Sequence, residues 1–75
     1  MDIADILFHV HADLSAEGRA DIERDIQGCA GVVSAHFSQD HPHMLEVAYD
    51  PRAVSSDAVL AHLRERGLTV SKLGL

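Results

Sequence analysis

The feature that most restricts this chain is strict two-residue alternation. In residues 5–11, DILFHVH, Ile6, Phe8 and Val10 fall on one side, and Leu7, His9 and His11 on the other. That period belongs to a strand with one buried face. It recurs over 32–38, where Ala35 and Phe37 oppose Ser34, His36 and Ser38. It recurs again over 43–49, where Leu45, Val47 and Tyr49 oppose Met44, Glu46 and Ala48. Residues 68–73, LTVSKL, make a short fourth strand. Strands that are apolar on one side need a covering layer on that side only.

The intervening segments supply the cover. After the first strand, Ser15 is a good N-cap, and Ile22, Ile26 and Cys29 recur at i, i+4 and i+7 on one helical stripe. Gly28 and Gly31 end that helix. Gln39-Asp40-His41-Pro42 carries turn chemistry between strands two and three, and Asp50-Pro51 closes strand three. Ser55 or Ser56 caps a second helix with Val59, Leu60 and Leu63 as its stripe and Gly67 as its stop. Strand–helix–strand–strand–helix–strand is the split βαβ pattern. It predicts an α+β, ferredoxin-like βαββαβ sandwich: a four-stranded antiparallel sheet with two helices on one face. By analogy with that fold, the spatial order is fourth, first, third, second strand. With 75 residues there is space for one domain, 1–75.

Composition narrows the function classes. The chain is 47% hydrophobic, sufficient for a core without a structural metal, and its single cysteine excludes both an internal disulfide and a thiolate zinc cage. A formal charge of −6 opposes binding to nucleic-acid backbones or anionic lipid. No apolar run approaches the roughly 20 residues of a membrane span, and the start lacks a signal peptide's basic segment and cleavage site. The expectation is a cytoplasmic protein, a monomer or weak homodimer, with no membrane insertion. No phosphate loop, nucleophile elbow or paired-carboxylate motif is present, so the chain reads as a binding protein and not an enzyme.

Several segments match one family in register. Gly31-Val32 after the first helix, Val47-x-Tyr49-Asp50-Pro51, and Gly67-Leu68 after the second helix resemble the heavy-metal-associated domain of copper chaperones and metal-pumping ATPases. The resemblance spans essentially the whole chain and implies the same fold, metal binding, and a metal transporter or other protein as partner. Family members carry methionine, any residue, then Cys-x-x-Cys in the loop before helix one, where two thiolates hold a soft ion such as Cu(I). Counted back from Gly31, the cysteine positions fall on Ser15 and Gly18 and the methionine on Asp13. None of these replaces a thiolate, so the family's metal site is not carried over. Leu68 stands where many members have tyrosine, and His62 where the family tends to have a small residue. His62 is expected to pack at the helix–sheet boundary, and Cys29 to be a buried small hydrophobe.

The residues offer a different ligand set. His9 and His11, at i and i+2 on one strand, share a face about 7 Å apart. In the expected strand order His36 and Glu46 face the same way on neighbouring strands. His43, in the His41-Pro42-His43 hairpin beside Asp13, stands at the same end as the vacant loop. Imidazole and carboxylate donors suit a divalent transition metal, Zn, Ni, Co or Cu(II), better than Cu(I). The expected metal set is therefore His9, His11, His36, Glu46 and His43, serving sensing, buffering or delivery. The competing expectation is a degenerate family member acting as a protein–protein interaction or regulatory module. Polar histidines and glutamate would then simply cover an exposed sheet, whose edge strands two and four could accept a partner strand.

Overall fold

The computed structural model describes residues 2–73; Met1, Gly74 and Leu75, the ends of the expected 1–75 domain, lie outside the described residues. Its elements are β1 (Ala4–Val10), α1 (Ala16–Gln27), β2 (Val32–Phe37), β3 (Met44–Tyr49), α2 (Ser56–Glu65) and β4 (Val70–Leu73). The sheet is antiparallel and ordered β2-β3-β1-β4, as the fold analogy requires. Alternation does what the sequence implies: Ile6, Phe8, Val10, Ala35, Phe37, Leu45, Val47 and Val70 are buried. They form one cluster with Ile22 and Ile26 of α1 and Val59, Leu60 and Leu63 of α2, which places both helices on the same face. No polar or charged side chain is buried among the described residues.

Helix starts follow the capping prediction. Ser15 accepts from Gly18 N–H at 3.0 Å, and Ser55 accepts from Ala58 N–H at 3.0 Å. The first helix ends sooner than its stripe suggests. Gly28 is the C-cap, so Cys29 lies beyond the helix and is only half-buried, not an interior stripe residue. Gly31 supplies the reversal instead, at a φ of 89°. The turn after β3 comes back against it, with Asp50 N–H donating to Gly31 O at 2.8 Å.

Side chains from the helices reach backbone groups of both edge strands. On β2, Phe37 N–H donates to Glu23 Oε2 at 2.7 Å, and Ala35 O accepts from Gln27 Nε2 at 2.7 Å. On β4, Thr69 O turns inward to His11 N–H, so Val70 O points outward, where Arg64 Nη2 donates to it at 3.1 Å. The edges therefore offer a partner strand fewer free backbone groups than alternation alone suggests.

A polar clasp joins the helix ends. Asp25 Oδ2 accepts from His62 Nε2 at 2.9 Å and from Arg66 Nη1 at 2.7 Å. Thus His62 is a hydrogen-bonding residue between the helices, and Asp25 is more than solvated charge. Arg66, then His62, holds the Asp25 carboxyl below the usual carboxylate range. A depressed folded pKa contributes stability above the unfolded pKa and loses it as pH falls through the folded one. Asp25→Asn should therefore cost about 1 kcal/mol near neutral pH. In urea melts that difference should shrink as pH drops below about 4; an undiminished difference in acid would refute the clasp.

Gly31 and Gly67 both have left-handed φ, 89° and 85°, but differ in space. A Cβ at Gly31 would meet Val54 Cγ1 at 2.8 Å and Ala53 Cβ at 2.9 Å, whereas at Gly67 nothing lies within 4 Å. Gly67→Ala should cost about 1 kcal/mol from backbone strain alone, and Gly31→Ala distinctly more, above about 2 kcal/mol. Equal costs in denaturant melts would show that the turn simply moves aside.

Candidate functional site

The open face of the sheet follows from register. Asp5 stands opposite Ala48, Leu7 opposite Glu46, and His9 opposite Met44 across β1 and β3. Ser34 pairs with Ala48 and His36 with Glu46 across β2 and β3. On the other side of β1, His9 pairs with Ser71 and Leu7 with Leu73. Successive rows thus read Ser34–Ala48–Asp5, then His36–Glu46–Leu7–Leu73, then Met44–His9–Ser71.

Three imidazoles gather at one end of this face. The rings of His9 and His11 lie 4.1 Å apart between centroids, and His43 sits edge-on to His9 at 6.0 Å. His43 is held by its Nδ1, 3.1 Å from Val10 O. A carbonyl only accepts, so Nδ1 carries a hydrogen, and in the neutral ring Nε2 keeps the lone pair. That Nε2 lies 3.8 Å from Asp13 Oδ1. His11 Nε2 is 2.9 Å from Ser71 Oγ, which leaves its Nδ1 for another partner. One nitrogen tethered and one presented is the arrangement that orients imidazole ligands.

His36 and Glu46 are placed differently. They pair with each other, His36 Nε2 to Glu46 Oε2 at 2.8 Å, one row away from His9 and opposite Leu7. The sequence-predicted set is thus divided into His9, His11 and His43 at one end and His36 with Glu46 beside them. Among the described residues, no group of three or more His, Cys, Asp or Glu side chains is disposed to hold an ion as the rings stand. Strand parity could reveal the shared face. It could not reveal the row, which depends on the length of the hairpin between β2 and β3.

The loop between β1 and α1 is built for capping rather than for soft-metal binding. Ser15 Oγ is occupied by Gly18 N–H, and Gly18 has no side chain to offer. The residues do not fit a Cys-x-x-Cys metal centre. Cys29 does not substitute: burial, then the Asp25 charge, pushes its thiol up, which disfavours the thiolate that binds metal. Competition against a Cu(I) chelator should show no tightly held Cu(I). One retained ion per monomer would refute this.

No family model matches the chain, and no curated protein matches it. Solved structures do match. One is a copper binding domain from HMA7, a P-type ATPase, at 18% identity and TM-score 0.82, covering 93% of each chain. Another is oxidized MerP from Ralstonia metallidurans CH34, at 12% identity and TM-score 0.83, covering 97% of this chain and 100% of that one. A third is the N-terminal domain of the zinc(II) ATPase ZiaA in its apo form, at 21% identity and TM-score 0.77, covering 96% and 100%. This chain has the ferredoxin-like fold of heavy-metal-associated domains.

Proposed function

We propose that this chain is a metal-binding domain of the heavy-metal-associated type that uses histidines in place of cysteines. The observation that carries the reading is the gathering of His9, His11 and His43, with ring centroids 4.1 and 6.0 Å apart, at the end of the sheet where the capped loop offers no thiolate. Its cargo is a divalent ion, Zn, Ni, Co or Cu(II), matched to neutral imidazole nitrogen. His43 would present Nε2, His11 Nδ1, and Asp13 a carboxylate oxygen beside His43. Binding requires the rings to rotate towards a common point. Rotamer changes of exposed side chains are fast, so this ordering occurs on ligand arrival. His36 and Glu46 would act as a neighbouring donor pair. A metal transporter or another protein is the partner that such a carrier would serve.

A second reading, an interaction module that binds no metal, is favoured by the lack of a ready-made group of three ligands among the described residues. One experiment separates the two. Untagged, chelator-treated protein is titrated calorimetrically with Zn, Ni and Cu(II), beside the His9→Gln, His11→Gln double variant. The metal reading expects one site per chain, weakened at least about ten-fold in the variant, with stability changed by no more than about half a kcal/mol. Binding should also weaken in acid, because a protonated imidazole has no lone pair to donate. Wild-type binding no tighter than that of the double variant would leave the interaction module standing.

A further inference from the structure

The open face also carries a recess that shares only His36 and Glu46 with the metal reading. A groove of about 380 Å3 crosses the sheet, lined by Asp5, Leu7, Ser34, His36, Glu46 and Ala48. Its origin lies in side-chain size. Ser34 and Ala48 are small and adjacent in one row, while His36 and Glu46 rise beside them in the next. Leu7, half-buried, and Ala48 give the groove an apolar floor.

Its charge is one-sided. Asp5 and Glu46 are diagonal neighbours across β1 and β3, because Asp5 faces Ala48, two residues from Glu46. Such positions are roughly 7–8 Å apart. Among the described residues, every lysine and arginine lies elsewhere. Arg19 and Arg24 are on α1, and Arg52 is in the turn after β3. Arg64 and Arg66 are at the end of α2, and Lys72 reaches Ser56 and Asp57 at the start of α2. Glu46 is also held in place: His36 Nε2 engages Oε2 and leaves Oε1 to accept. A carboxylate fixed beforehand loses little freedom when a donor arrives.

We propose that this groove receives an arginine side chain from a partner protein. A guanidinium is planar and presents several donors in fixed directions, so it can bridge two carboxylates while its flat face lies on Leu7 and Ala48. A lysine ammonium, compact and strongly hydrated, gains less from an apolar floor. The proposal does not rest on the metal reading and is tested on metal-free protein.

The probe is a pentapeptide, acetyl-Gly-Gly-Arg-Gly-Gly-amide, titrated into isotopically labelled protein and followed by amide chemical shifts. Shifts should concentrate at Asp5, Leu7, His36, Glu46 and Ala48, and the matching lysine peptide should bind at least about three-fold more weakly. Ala48→Leu fills the groove without changing charge and should weaken binding at least about ten-fold. Glu46→Gln, which keeps the shape, should do likewise and serves if Ala48→Leu fails to fold. The double variant Glu17→Gln, Asp21→Asn removes two charges from α1 and should bind as wild type. Shifts spread over the acidic helices, unchanged binding in the groove variants, equal affinity for lysine, or peptide-free self-association through this face would each overturn the proposal.

Discussion

Strand β1 is hydrogen-bonded along both sides, to β3 from Ala4 to His9 and to β4 from Leu7 to Val10. β3 is likewise paired on both sides, and the register of these two inner strands determines the placement of the rest of the sheet. Phe8 and Val10, fully buried, anchor the inner face of β1 under both helices. A one-residue slip would carry them into solvent and His9 into the core. The placement of His9 and His11 on the open face is therefore enforced by the packing of Phe8 and Val10. Mutating the histidines leaves that constraint untouched, whereas mutating the core residues would disturb the site at once.

The edges extend the same logic to partners. Each helix packs an apolar stripe on the sheet and also sends a long polar side chain to the backbone of the strand beneath its border. Glu23, Gln27 and Arg64 thereby satisfy groups that would otherwise template another strand. With the helix face closed and parts of both edges occupied, the broad surface left is the open face of the sheet. Both functional readings draw on it, through imidazoles at one end or through the groove further along.

Much of this was legible in the sequence because it depends on local periodicity. Alternation identified the inward residues of β1, β2 and β3, and serines marked both helix starts. Interactions that depend on reach across the tertiary structure were not legible. Asp25 looks like any helix-surface acid until the C-terminal ends of α1 and α2 meet and bring His62 and Arg66 to it. Cys29 fits the helical stripe by spacing, yet the cap at Gly28 ends the helix one residue earlier. Parity placed His36 and Glu46 on the right face. Only the register showed that they pair with each other instead of joining His9 and His11.

That single-row separation couples the two proposed uses of the open face. His9 faces Met44 and Glu46 is two residues further along the same strand, so His9 and Glu46 are diagonal neighbours. A divalent ion held by His9 would then lie on the order of 10 Å from an arginine between Asp5 and Glu46. Two positive charges and one, at that separation in a water-like dielectric, repel by about 1 kcal/mol. The coupling is reciprocal, so a bound metal weakens the arginine contact about five-fold and the arginine weakens the metal by the same factor. Salt reduces it, since the distance is close to one screening length at about 0.1 M. If both sites operate, arrival of the ion favours release of the partner, and docking of the partner favours release of the ion.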